Sequence, residues 1–256
     1  MSRALFAWLS SLTAEALEAA RTILGSKAAR TAIMFIWPWA GVIVGMDLAA
    51  HYGDATGAYL PVQLFISQDH SFGEYLEYSL TLSCAVMLFV MWRRLGAAAY
   101  LANAVMMIWL TIDNAAEFHE AFGHWIAPYI PDPANSPVHA NDIGEMLFFA
   151  MVGAIWLAGL ASALFSARPK AAVHSLYIAG GIGMAAVFGV FVDMFTSWGV
   201  HSIAQTDLRA WLEDGGEFAF INLTFLMVVA FFDAEKRKWQ ARARERQSAP
   251  ALALAA

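Results

Sequence analysis

Six apolar runs dominate this chain, at roughly residues 31–50, 75–92, 97–114, 143–165, 176–198 and 218–232. A helix crosses the ~30 Å hydrocarbon core with about 20 apolar residues, within a range of about 17–25. The sixth run reaches that length only if Gly215 and Gly216 enter the membrane with it. With 60% hydrophobic and 14% charged residues, the chain is not an ordinary soluble domain. The expected fold is all-α: a polytopic membrane helical bundle of about six transmembrane helices. The expected organisation is an amphipathic segment at 1–30, a transmembrane domain at 31–233 and a basic tail at 234–256.

Residues 2–24 repeat apolar side chains at helical spacing (Leu5, Leu9, Leu12, Ala16, Ala20, Ile23), with Arg3, Glu15, Glu18 and Arg21 elsewhere. A signal peptide is the competing reading. Glu15 and Glu18 interrupt the apolar part, so a helix lying at the membrane interface is expected.

The charges are sorted along the chain. Fourteen of the 15 Lys and Arg residues precede run one, separate runs two and three, separate runs four and five, or follow run six. The positive-inside rule then puts both termini in the cytoplasm. Sixteen of the 21 acids and six of the seven histidines fall on the opposite side. That outer face is expected to attract cations.

A degenerate internal repeat organises the acids. Asp47-Leu-Ala-Ala-His51 answers Asp113-Asn-Ala-Ala-Glu-Phe-His119, and Val192-Asp193-Met-Phe is a weaker echo. Each outer connection then re-enters through Gly-Glu, at Gly73–Glu74, Gly144–Glu145 and Gly216–Glu217. The chain reads as three helical hairpins. Glu74, Glu145 and Glu217 are expected to open helices, where the dipole favours a carboxylate by ~0.3–1 kcal/mol. Asp47, Asp113 and Asp193 are expected near helix C-termini, slightly submerged. There an anion needs a cation, a hydrogen-bond donor or a proton. A functional site and a structural contact between helices explain these aspartates equally well.

The stretch from Asp113 to Glu145 is the densest in chemistry. Glu120 and His124 are four apart, on one helical face, and His139 follows a Pro-rich turn. One oxygen and two imidazoles suit copper, zinc or iron better than calcium or magnesium. His70 and His174 read as ordinary interfacial residues. Cys84 lies in an apolar run and offers neither a disulfide nor a thiolate site. There is no Walker loop, dinucleotide glycine pattern, nucleophile elbow or His-Glu-x-x-His, and no nucleic-acid partner is expected.

Several of these pieces resemble the C-type subunit of the copper membrane monooxygenases, which oxidise methane, ammonia or short hydrocarbons. Glu120-Ala-Phe-Gly-His124 followed by Ser136-Pro137-Val138-His139 is similar to the copper site of that family, with Glu120 where the family has Asp. Gly73-Glu74-Tyr75-Leu76-Glu77, in a run closing with Trp92-Arg93-Arg94, is similar to its earlier acidic span. Ser197-Trp198-Gly199-Val200-His201 stands where the family has an Asn-x-x-x-His pair for a second copper. The resemblance implies Glu120, His124 and His139 as copper ligands, with Asp113, Asp193 and His201 as further metal candidates. It implies a bacterial inner membrane, two partner membrane proteins of the A and B types, and hydroxylation of a small apolar substrate or ammonia with O2. The residues also allow a metal-dependent membrane hydrolase acting on a lipid, a cation or proton transporter using the submerged carboxylates, or a scaffold whose acids pair between helices.

Overall fold

The computed structural model describes residues 3–130, 139–192 and 203–253. Eight α-helices account for almost all of them. These are α1 (Arg3–Gly25), α2 (Lys27–Ala55), α3 (Phe72–Leu95), α4 (Ala98–Ala116), α5 (Phe118–Ile126), α6 (Ala140–Ser166), α7 (Pro169–Ala186) and α8 (Ile203–Ala253). Short 3-10 turns lie at Val62–Leu64 and Ala127–Tyr129, and α7 runs on into a π-helical turn at Val187–Val192. No strand occurs among the described residues.

Five helices are long and apolar enough to cross a membrane: α2, α3, α6, α7 with part of its π turn, and the Trp211–Ser248 part of α8. The third apolar run forms α4, which has 19 residues and falls outside that set. The sixth run is not short. Helix α8 continues through both of its ends for 51 residues. Glu217 therefore lies within a helix and does not open one. The basic tail, expected as a separate segment, is the continuation of the same helix up to Ala253.

Local chemistry sets the helix ends. Ser26 caps α2 by accepting from the Ala29 amide at 3.1 Å. Ser71 caps α3 by accepting from the Glu74 amide at 3.2 Å, and Glu74 Oε2 accepts in return from the His70 amide at 2.5 Å. That reciprocal pair is a capping box in function. Gly96, at φ 70°, takes the left-handed conformation that turns α3 into α4.

The helices are held mainly at the end that carries the basic residues. Leu88, Met91, Tyr100, Met107, Ile178, Val228 and Phe231 are all buried there, and Leu12, Ala16 and Ile23 of α1 pack against them. Helix α1 thus lays its Leu12, Ala16 and Ile23 side against the bundle. Small residues recur in the contacts: Ala85, Ala99, Ala104, Ala172 and Ala185 are buried. This suits packing in lipid, where close backbone approach replaces the hydrophobic drive. His174 is not interfacial, as expected from sequence, but fully buried. Its ring stacks on Phe231 with centroids 3.9 Å apart, and Nδ1 lies 3.0 Å from the Tyr100 hydroxyl. At the same end Lys170 bonds Glu235 across α7 and α8.

Phe231 is the centre of this cluster. Phe231→Ala is expected to cost about 3–5 kcal/mol, read as lost unfolding stability in detergent. Phe165→Ala, at a side chain 93% exposed, should leave stability unchanged.

Candidate functional site: an acidic cavity at one end of the bundle

At the opposite end the same helices surround a cavity of about 370 Å³, with a side chamber of about 80 Å³. Its walls bring together acids from five helices: Glu74 and Glu77 of α3, Asp113 of α4, Glu120 of α5, Glu145 of α6, and Asp214 and Glu217 of α8. His119 and Asn114 join them. Among the described lining residues there is no lysine or arginine. Toward the middle of the bundle the walls turn apolar, with Leu110, Val152, Trp156 and Ile221.

The Gly-Glu repeat explains how the acids reach one space. Glu74, Glu145 and Glu217 all line the cavity. Each neighbouring glycine makes room for a packed neighbour: a methyl at Gly73 would meet Ile66, at Gly144 Ile126, and at Gly216 the Phe188 ring. Close approach on the glycine side turns the glutamate inward. The Glu217 carboxyl itself lies against Gly189, inside the π turn that ends α7. Such turns interrupt the regular helix ladder and gather at functional sites.

The two described submerged aspartates have a different job. Asp47 and Asp113 are both 0% exposed. Asp47 Oδ1 accepts from the Ile66 amide at 2.8 Å and lies 3.5 Å from His51 Nε2. Asp113 Oδ1 accepts from the His119 amide at 3.2 Å, and Oδ2 lies 3.2 Å from His119 Nδ1. Each aspartate thus takes a downstream imidazole and one backbone N–H, and ties the following connection over the end of the bundle. Both oxygens of Asp113 face a donor in this way, whereas Asp47 Oδ2 is buried with no described hydrogen-bond partner. Asp193 and His201 lie outside the described residues.

The expected metal set does not converge. Glu120 lines the cavity, but His124 and His139 do not. His124 is exposed, and its Nδ1 donates to the Glu120 carbonyl of its own helix at 2.9 Å. His139 is exposed at the N-cap of α6, where its amide donates to Asp142 at 3.0 Å. Shared spacing on α5 is not enough, because α5 is nine residues long and crosses α6 through Gly123 and Gly144. Among the described residues no three His, Cys, Asp or Glu side chains stand where they could hold one metal ion.

Glu77 is the residue that sequence reasoning undervalues. It is 8% exposed, lines the side chamber, and accepts no hydrogen bond through its carboxyl from any described residue. The signal is the spacing: Glu77 lies one turn below Glu74, and Glu217 lies one turn below Asp214. The first pair carries charge from the entrance of α3 into an apolar run, and the second does so within the long helix α8. At the rim, His70 and Glu117 are the only described non-glycine residues with positive φ, at 58° and 53°. Their side chains meet at 3.4 Å. Backbone held in this region collects at functional sites.

A family model described as a domain of unknown function (DUF8692) matches residues 61–233. The chain belongs to DUF8692. No curated protein and no solved structure matches it. The DUF8692 match begins just before the turn at Val62 and ends beyond Phe231, so it contains every residue named above as lining the cavity.

His119 gives this end of the DUF8692 protein a pH dependence. Burial alone would lower its pKa, but the bond to Asp113 and the charges of Asp113, Glu145 and Glu120 raise it above 6.5. A raised imidazole pKa contributes stability that is complete below the unfolded value and is lost as pH rises through the folded one. In an NMR titration His119 should therefore titrate above 6.5, and Asp113→Asn should bring the midpoint down. The carboxyl of Glu120 moves the same way, raised first by burial and then by the charge of Asp69.

Proposed function

We propose that this DUF8692 protein is a cation-binding membrane protein of the transporter class, and that it takes up its cation in the acidic cavity. In this reading α4 is the sixth crossing. The basic end faces the cytoplasm by the positive-inside rule, and the cavity opens at the outer face. The observation that carries the proposal is Glu77: a carboxyl buried at membrane depth, facing a cavity, with no described donor and no described lysine or arginine beside it. An ionisable group in that position marks a path or a site for ions. It is neutralised either by its own proton or by a cation. Glu217, held against Gly189 in the same cavity, shares the side chamber with the neutral Asn114 and likewise has no described lysine or arginine beside it. Cation entry is thereby linked to proton release: the O–H bond of a glutamic acid breaks, the proton leaves to bulk water, and the carboxylate left behind holds the cation.

The oxidase reading, with copper and two partner membrane proteins, has one supporting observation. The cavity pairs oxygen and imidazole donors (Glu120, Glu145, His119) with an apolar inner wall, where a small apolar substrate would fit.

One titration separates the two. The purified protein, in weakly buffered detergent solution, is titrated with sodium, zinc, copper(II) and tetramethylammonium while released protons are counted. The proposal expects saturable binding of at least one of these, with proton release that falls by at least half in Glu77→Gln and in Glu217→Gln. If no cation saturates, or if both variants match the wild type, the proposal is wrong. Stoichiometric copper that survives both glutamine variants but is lost in His124→Ala and His139→Ala would establish the oxidase reading instead.

A further inference from the structure

The cavity has a second way in. A groove of about 670 Å³ runs between α4 and α6 along the lipid-facing side of the bundle. Its walls are apolar: Leu101, Val105 and Ile155 line it, and Val105 and Ile155 are 57% and 69% exposed. Four residues, Met106, Trp109, Val152 and Trp156, line both the groove and the acidic cavity. The two spaces therefore share a wall, and two indoles stand at the junction. The Trp156 Nε1–H is buried there with no described hydrogen-bond partner.

We propose that the cation is an amphiphile, an alkylammonium compound whose charged head sits in the acidic cavity and whose chain lies in the α4–α6 groove. This inference rests on the cation-binding reading above and names its substrate class. Three features fit that one ligand. The cavity supplies negative charge without a competing lysine or arginine among its described residues. Trp109 and Trp156 line both spaces, and indole rings are the best aromatic partners for an ammonium group. The groove offers an apolar bed open to lipid, from which a membrane-dissolved chain enters sideways. A metal ion would use the first feature only. An anionic or neutral lipid would find its head beside Glu217, Glu145 and Asp113 with no positive charge to gain from them.

Gly159 provides the test. It lines the groove but not the cavity, and nothing lies within 4 Å of a Cβ placed there. Gly159→Phe therefore starts its side chain in open space and carries its ring into the groove. Wild type, Gly159→Phe and Glu217→Gln, each in lipid nanodiscs, are titrated with tetramethylammonium and with octyl- and dodecyltrimethylammonium, following tryptophan fluorescence. Empty nanodiscs correct for partition, and dodecanol and dodecyl sulfate are tried as competitors. The proposal expects affinity to rise at least tenfold from tetramethyl to dodecyl in the wild type. In Gly159→Phe that gain disappears while tetramethylammonium binds as before. In Glu217→Gln all three ligands weaken together. Dodecanol and dodecyl sulfate should fail to compete. If tetramethylammonium binds but chain length adds nothing, or if Gly159→Phe keeps the full gain, the amphiphile assignment falls and the cation reading stands. If none of the three binds while an inorganic cation still releases protons, the assignment again falls alone. If no cation of any kind binds, the underlying reading has failed and takes this one with it.

Discussion

A carboxylate below the membrane surface needs a partner, and the shape of this protein follows from how each acid finds one. Removing an ion from water costs several kcal/mol even after relaxation. Asp47 and Asp113 meet the cost with an imidazole and a backbone N–H each. Glu74 meets it at the entrance of α3, where the His70 amide and the Tyr78 hydroxyl donate to it. Glu235 meets it with Lys170 at the other end. Glu77 has no such partner among the described residues, and it looks into the side chamber of the cavity. Each of the other acids named here has at least one donor, although Asp47 Oδ2 is left without one; Glu77 has none described on either oxygen.

The two ends of the bundle divide the work accordingly. At the basic end the core is continuous, from Leu12 of α1 through Leu88 and Tyr100 to Phe231. At the acidic end, α5 lies across the ends of α4 and α6, and the π turn closes on α8 through Phe188 and Phe220, stacked 5.5 Å apart. A tight half holds the helices in fixed relation, and this lets the other half keep open space lined with like charges. Without the tight half, repulsion among Glu74, Glu77 and Glu217 would be relieved by spreading the helices. In the proposed reading a proton or a cation relieves it instead.

Much of this is legible in the sequence, and the differences have physical causes. Apolar run lengths locate every long helix, because a span admits few polar interruptions. The Gly-Glu repeat is legible too, and its meaning is richer than a helix cap: the glycine sets a close contact and the glutamate faces the cavity. The trio Glu120, His124 and His139 does not assemble because i, i+4 spacing fixes the face of a helix but not where that face points, and α5 crosses α6 in a way no local pattern announces. Glu77 is legible only as an acid one turn below Glu74, and that spacing says nothing about its partners. Whether a donor waits on the next helix is a tertiary fact. The length of α8 is hidden because an apolar run stops where charge begins, whereas a helix outside the membrane continues readily with Lys, Arg and Glu.

That continuity has a mechanical side. From Glu217 to Ser248, α8 is one uninterrupted rod of roughly 46 Å at 1.5 Å per residue. A helix of this kind transmits angle, not only position. A tilt of about 5° around Glu217 would swing the far end by roughly 4 Å over that length. The far end carries Arg242, Arg244 and Arg246, beyond Trp239, which still packs against the core. The acidic cavity and the cationic tail are carried on one continuous helix, so a change of direction at Glu217 would appear at the arginines only if the core around Val228 and Phe231 moved with it.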